Sequence, residues 1–392
     1  MLTLDFGLEF DPQNDDEFFS ALPPHAAVCL IEPKESSAQP LFIRTQDLRR
    51  RLQRLLSPPD AASKRLNLRD FTKSVRYRLT PTAFEQTFAY YRQAKMLFPK
   101  RYKDMLRMRP PAVLKINMRN AYPRCYATRR IPVDAQGELS GGVYYGPFPS
   151  RKAADGFAEG VLDLFKVRRC QIKIRRDPAF PGCIYSEMKM CLAPCFAGCT
   201  KEEYDVEVGR LAAFLETGGA SLRDALEAER NRASEELDYE KAALAHKKLD
   251  KLDDALRGQP ELPRRLQDLN AVILQRGLAE QSILAFAVHG GKIVEPFEIS
   301  FATQTGELRS AEQLLRENME SSSAPAGEEL SEHLWLLARW FYSNPREGEI
   351  FFREKTWPYR RMMRACARLL APTQQAENES KNTISGTDSK KS

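Results

Sequence analysis

The 392-residue sequence has no apolar run approaching the ~20 residues that a membrane-spanning helix requires. Its first twenty residues lack lysine and arginine altogether but hold six acids, Asp5, Glu9, Asp11, Asp15, Asp16 and Glu17. A secretory or mitochondrial leader needs the opposite charge, so an intracellular, cytoplasmic protein without membrane attachment is expected. Disulfides are not expected there, and clustered cysteines need another explanation. No solenoid repeat runs through the chain. The polar excess of bulk disorder is also missing. At 42% apolar and 29% charged the composition is globular, and the length suggests two or three domains.

What is present is unevenly placed. Between Arg44 and Arg130 there are 23 basic residues against five acids, Asp47, Asp60, Asp70, Glu85 and Asp104. That block carries +18 and the remainder −11, although the whole chain is only +7. A folded segment this basic repels itself unless something acidic neutralises it, and phosphate backbone is the usual partner. A solvated basic surface, or one docked on the acidic remainder, is the alternative. The cysteines are equally uneven. Cys170, Cys183, Cys191, Cys195 and Cys199 fall within thirty residues, whereas Cys29, Cys125 and Cys366 are isolated and read as small apolar residues.

The periodicities predict an α+β, multidomain chain. Ala26 to Ile31 and Leu41 to Ile43 read as a strand pair. Asp47 precedes an amphipathic helix with Leu48, Leu52, Leu55 and Leu56 on one face and Arg49, Arg50, Arg51 and Arg54 elsewhere. A helix is expected over Thr82 to Leu97, strands at Ala112 to Ile116, Cys125 to Arg129 and Val143 to Tyr145, a turn at Gly146 to Ser150, and a helix over Arg151 to Phe165. Segment 166–200 holds Pro178, Pro181, Gly182, Pro194 and Gly198 and cannot be one regular element. A helical hairpin follows, with Ser221 and Asp224 resembling a capping box and Ala242, Ala245, Leu249, Leu252 and Leu256 forming a heptad-like seam. Asn270 to Gln275, Ser282 to His289 and Lys292 to Phe301 read as strands turning at Gly290-Gly291. Helices at 310–319 and 328–342 and a strand at Glu349 to Phe352 complete the pattern.

Cys170-x12-Cys183-x7-Cys191-x3-Cys195 supplies four thiolates, the ligand set of a tetrahedral zinc or an iron–sulfur cluster. Structural zinc favours two short knuckles and only the last pair is that close, while unligated thiols remain the third reading. Arg168, Arg169, Lys173, Arg175 and Arg176 would offset an anionic site. Cys199 is a spare ligand or a bystander.

Four stretches carry a resemblance: Gly146-Pro147-Phe148-Pro149-Ser150, Leu164 to Cys170, Pro181-Gly182-Cys183-Ile184-Tyr185, and Met190-Cys191-Leu192-Ala193-Pro194-Cys195. With Leu237-Asp238-Tyr239-Glu240-Lys241-Ala242-Ala243 in place of a UVR motif, the chain over roughly 25–355 resembles the C subunit of the bacterial UvrABC excinuclease. The resemblance implies a [4Fe-4S] cluster on Cys170, Cys183, Cys191 and Cys195, with zinc as the alternative. It also implies a UVR hairpin that meets the helicase-like B subunit through Tyr239, Ala242, Ala245 and Leu249, with a purely intramolecular hairpin as the bland reading.

The family's first nuclease centre is a GIY-YIG domain, and here its pattern is broken. Ala27-Val28-Cys29 stands for Gly-Ile/Val-Tyr, and Phe42-Ile43 for the second motif. Leu55 replaces a further tyrosine, Tyr90 the metal-binding glutamate and Tyr102 the asparagine, while Arg51 matches the catalytic arginine. Cys29 and Phe42 cannot act as phenols, and Tyr90 cannot hold a divalent cation as a carboxylate does. The RNase H-like domain and helix–hairpin–helix motifs find no counterpart, and residues 266–356 resemble the segment before them. A non-catalytic DNA-binding protein of nucleotide excision repair is therefore expected, contacting DNA through Arg49, Arg50, Arg51 and Arg54. Two rivals stand beside it. One is an active nuclease using magnesium on Glu85, Asp47 or Asp104, and the other is a regulator whose cluster senses oxidation. The expected divisions are an acidic leader (1–20), a degenerate GIY-YIG-like domain (21–103) and a β/linker region (104–165). After these come the cysteine segment (166–200), the hairpin (201–260), a C-terminal α/β segment (261–371) and a disordered tail (372–392).

Overall fold

The computed structural model describes residues 4–59, 65–135, 137–257, 259–301, 310–321 and 330–371. The expected tail over 372–392 lies outside them. The architecture is α+β, built on three antiparallel sheets.

The N-terminal sheet forms from β1 (Phe6–Glu9), β2 (Ala27–Pro33), β3 (Leu41–Thr45) and β4 (Thr72–Leu79), in the order β1-β4-β2-β3. Its helices are α1 (Asp15–Ala21), α2 (Leu48–Leu56), α3 (Ala83–Leu97) and α4 (Tyr102–Leu106). The run Ala27 to Ile31 is buried throughout because β2 is central and covered on both faces. On one face Ala27, Cys29 and Ile31 meet Leu48, Leu52, Leu55 and Leu56 of α2. On the other Val28 and Leu30 meet Phe84, Phe88 and Tyr91 of α3. Asp47 and Thr82 cap α2 and α3 by accepting from Arg50 N and Glu85 N. The acidic N-terminal stretch is partly regular. Residues 6–21 contain β1 and α1, and Phe10, Phe18, Phe19 and Leu22 are buried under α2. Asp15, Asp16 and Glu17 stand in the first turn of that short helix, while Asp5, Glu9 and Asp11 are exposed outside it.

The middle sheet has the order β6-β5-β7-β8, from β5 (Ala112–Ile116), β6 (Cys125–Thr128), β7 (Val143–Phe148) and β8 (Arg264–Arg265). Gly146, Pro147 and Phe148 continue β7 instead of turning. A side chain at Gly146 would sit 2.7 Å from Val113 Cγ1, so close strand approach is what requires glycine. Helix α5 (Arg151–Leu162), the single turn α6 (Ile184–Glu187) and α7 (Lys201–Glu216) follow. Then α8 (Ala220–Glu235) and α9 (Tyr239–Leu256) form the hairpin. Thr200 and Glu203 make a reciprocal capping box that starts α7, a helix that the sequence reading had merged with the hairpin. The box expected at Ser221 and Asp224 is absent. Instead Gly219, at φ +94°, precedes α8, and Ser221 N donates to Thr217 Oγ1 (3.0 Å).

The C-terminal sheet comprises β9 (Ala271–Arg276), β10 (Ser282–His289), β11 (Lys292–Ile293), β12 (Phe297–Ser300) and β13 (Glu349–Phe352). Strands run β11-β10-β9-β13, and β12 also pairs with β10, so the expected return strand is two pieces. Helix α11 (Leu330–Phe341) covers one face, and α10 (Ala311–Ser321) and α12 (Tyr359–Leu370) the other. One buried cluster runs from the N-terminal region into this segment. Phe84 and Phe88 pack edge-on against Phe286 at 4.8 and 5.9 Å between ring centres. Thr82 Oγ1 donates to Gln275 Oε1 (2.7 Å), and Ala83 N to Glu347 Oε2 (2.8 Å).

Candidate functional site

The degenerate nuclease positions divide between two faces of one sheet. In the β2–β3 register Cys29 faces Ile43 and Leu30 faces Phe42. Side chains alternate along strands, so Cys29 and Phe42 point to opposite faces. Cys29 and Leu55 lie in the cluster under α2, whereas Phe42 and Tyr90 lie under α3. Phe42 and Tyr90 stack with ring centres 4.6 Å apart, and the Tyr90 hydroxyl donates to Phe42 O (3.2 Å). Burial pushes the Tyr90 phenol and the Cys29 thiol up, so neither is poised as a proton acceptor. Tyr102 is engaged elsewhere. Its hydroxyl and that of Tyr91 donate to Glu332 Oε1 and Oε2 (2.6 and 2.7 Å), joined by Lys103 and Lys95 at 2.8 and 3.1 Å. Burial raises the Glu332 carboxyl, but these four donors outweigh it and hold it at about 2.

The acids offered for a remodelled centre do not converge either. Asp47 caps α2 and Asp104 stands in α4. Glu85, raised to about 7 by burial against the pull of Arg78, pairs with that arginine at 3.3 Å.

Of the four arginines expected to meet DNA, Arg49 is already committed. Its guanidinium donates to Leu22 O (2.6 Å) and Ser20 O (3.2 Å) and ties down the end of α1. Arg69 is a similar internal tie, bonded to Asp15, Leu56 O and Pro12 O. Arg50 and Arg54 are exposed and Arg51 is half-buried on the flank of α2. Arg50 and Arg54 line a shallow cavity of about 340 Å³ with Arg65 and Asn67.

Segment 166–200 is pinned by polar ties more than by a core of its own. Arg168, a buried cation, donates from Nε to Tyr122 O (2.8 Å) and from Nη1 to Ile172 O (2.9 Å), and lies 3.7 Å from Cys170 Sγ. The buried Tyr204 hydroxyl accepts from Arg168 N (3.1 Å) and donates to Pro123 O (2.7 Å). Lys166 N donates to Glu207 Oε1 (2.7 Å), and Leu192 N to Lys166 O (3.0 Å). The sequence reading counted Arg168 only as a charge. Its burial beside Tyr204 makes it the clamp of the segment.

Cys170, Cys183, Cys191 and Cys195 come close enough to feel one another's charge. The Cys191 thiol is pushed up to about 11, first by burial and then by the other three, against the Ala193 N–H donated to its sulfur (3.3 Å). Among the described residues no three His, Cys, Asp or Glu side chains are grouped to hold a metal ion. The four are thus neighbours without a closed cage. Cys199 is buried in the middle core with Tyr204 and Val208.

The matched family model is that of the UvrC/Cho excinuclease middle domain, over residues 112–214. Over this span the chain carries a UvrC-like middle domain. The matched span runs from β5 into the last turn of α7 and includes all five clustered cysteines. UvrABC system protein C of Ruminiclostridium cellulolyticum is 27% identical over half of this chain and 31% of its own length. That of Oleidesulfovibrio alaskensis is 30% identical over 46% of the chain and 24% of its own. That of Carboxydothermus hydrogenoformans is 25% identical over 72% and 45%. The chain therefore spans less than half the length of these curated relatives. No solved structure matches it.

The α8–α9 hairpin closes on itself. Ala245 and Leu249, two of the expected contact residues, are buried in the hairpin, as are Leu222, Leu226 and Ala233. Ala242 is half-buried. The accessible apolar residues are at the tip, where Leu237, Tyr239 and Leu244 are 68%, 69% and 58% exposed. Among the described residues no helix is long and apolar enough to cross a membrane.

Proposed function

We propose that the chain is a DNA-binding, non-cleaving component of nucleotide excision repair that acts beside a helicase-like B subunit. The observation that carries this is the filling of the first nuclease centre. Its phenol and carboxylate positions hold Cys29, Phe42 and Tyr90, packed into two apolar clusters on opposite sides of a sheet. Phosphodiester cleavage needs a metal to stabilise developing phosphate charge, worth several kcal/mol of barrier. Phe42 and Tyr90, stacked ring on ring, offer that metal no carboxylate.

The basic surface survives that loss, with Arg50, Arg51 and Arg54 of α2 able to neutralise phosphates without sequence preference. DNA affinity should fall steeply with salt. Replacing all three by alanine should flatten the log–log salt slope by about 2 to 3. Unmeasurable binding to duplex at about 50 mM salt would overturn the DNA-binding half of the reading.

The donor set in segment 166–200 suits an iron–sulfur cluster. Four thiols stand as neighbours, an N–H is aimed at one sulfur and a guanidinium at another. Cys170, Cys183, Cys191 and Cys195 would hold it, and when bound it would supply a covalent cross-link in a segment whose longest regular element is one helical turn. Around it, Arg168 and Tyr204 orient the loop that carries Cys170. The exposed hairpin tip at Leu237, Tyr239 and Leu244 is the surface offered to a UVR-bearing partner.

A further inference from the structure

Two cavities meet at Arg339. The larger, about 600 Å³, lies between the start of α3 and α11 and is lined by Arg44, Thr87, Arg339, Trp340 and Glu347 among others. The smaller, about 260 Å³, opens on the other side of Arg339 and is lined by Arg109, Arg129, Trp335 and Tyr342. Together they form a groove that crosses the N-terminal region, the middle sheet and the C-terminal segment.

Its charge is of one sign. Arg44, Arg109, Arg129 and Arg339 are all exposed, and among the described residues none forms an ion pair. Their remaining contacts are long: Arg44 Nη1 to Thr87 Oγ1 at 3.4 Å, and Arg129 Nη1 to Pro110 O at 3.5 Å. The only carboxylate lining either cavity, Glu347, already accepts from Ala83 N. Burial and the facing Arg44 both push the Arg339 guanidinium down, as two cations sharing a cleft without a counter-ion should. Aromatic rings nevertheless hold these cations in place. Arg339 lies over Trp335 at 5.4 Å and Arg44 over Tyr90 at 5.8 Å. Pre-positioned cations without internal partners are an anion site, and four along one groove suit a string of phosphates.

We propose that this groove binds a single-stranded nucleic-acid segment, with phosphates on Arg44, Arg339, Arg109 and Arg129 and a base against Trp335. Cavities of this size admit individual nucleotides, whereas a duplex presents only its outer backbone. Half-buried Trp335 and Tyr342 beside the arginines give the aromatic platform on which strand binders stack bases. The inference rests on the DNA-binding reading above and deepens it, assigning single strands to the groove and duplex to α2.

Fluorescence anisotropy of the full chain with labelled oligothymidylate and with a duplex of equal length tests it. The pair Arg129→Ala/Arg339→Ala should weaken single-strand binding about tenfold or more and reduce its salt slope by about 1.4, with duplex affinity changed less than about twofold. Arg50→Ala/Arg54→Ala should do the reverse. Arg339→Lys, which keeps the charge, should stay within about threefold of wild type, so a larger loss from it argues for a packing role and against the groove. Single-strand affinity unchanged in the groove variant, with duplex binding intact, overturns this proposal alone. Wild-type protein that binds neither probe overturns the DNA-binding reading as well.

Discussion

The sheet of the N-terminal region and the cysteine segment are built in opposite ways. In the first, the positions that should meet substrate are filled by rings and aliphatics, and packing alone holds them. In the second, four thiols lie near enough to couple by charge but are not grouped into a cage, and Arg168, Tyr204 and Glu207 hold the chain around them. A filled core is stable without a ligand. Polar donors gathered in a loop gain most of their stability when something binds them. The difference teaches that one region is held by apolar packing and the other by polar ties.

The two regions should therefore fail under different insults. Cys191→Ser should have the largest effect, abolishing bound iron, expected at about four atoms per chain. It should also raise protease cutting within 166–200 while duplex affinity stays unchanged. Metal analysis checks this, and stoichiometric zinc without iron would replace the cluster by the alternative. Returning a carboxylate to the first region should only do damage. Tyr90→Glu removes a stacked ring and buries a charge, at a cost of about 4 kcal/mol by denaturant melts, and brings no cleavage.

Glu332 supplies the electrostatic counterpart. Its folded carboxyl, at about 2, lies below the ordinary value of 4.5. A depressed carboxyl contributes stability that is present above the unfolded value and lost as pH falls through the folded one. The contribution, about 3 kcal/mol, should thus disappear between roughly pH 4.5 and pH 2. Glu332→Gln should flatten the acid limb of the stability curve, and an unchanged limb would sink the assignment. The smallest effects separate seam from tip. Ala245→Asp should open the hairpin at a cost of about 2 kcal/mol, whereas Tyr239→Ala should leave stability within about 0.5 kcal/mol and weaken capture of a B subunit in pull-downs.

Elements with a clean period were legible. Strand Ser282 to His289 is found with the bounds expected, and α2 and α3 within a residue. Those missed carry charge inside their own pattern. Strand β4, TKSVRYRL, buries Thr72, Val75 and Tyr77 between basic residues and reads as basic surface. Helix α12 hides Met362, Ala365 and Cys366 among four arginines over 360–368. The division of Cys29 and Phe42 between two faces of the sheet was not readable in the sequence. That depends on strand register, which a one-residue shift inverts. Arg49 and Arg168 show the same limit. A sequence counts an arginine as charge, and only its neighbours reveal that the guanidinium is spent on carbonyls.

The central claim is that the first region binds DNA without cutting it. The most direct test incubates the purified chain with nicked and damaged duplex in Mg²⁺ or Mn²⁺, reading binding and strand scission on the same samples. The account predicts salt-sensitive binding with every strand intact. Scission that disappears in Arg51→Ala would contradict it.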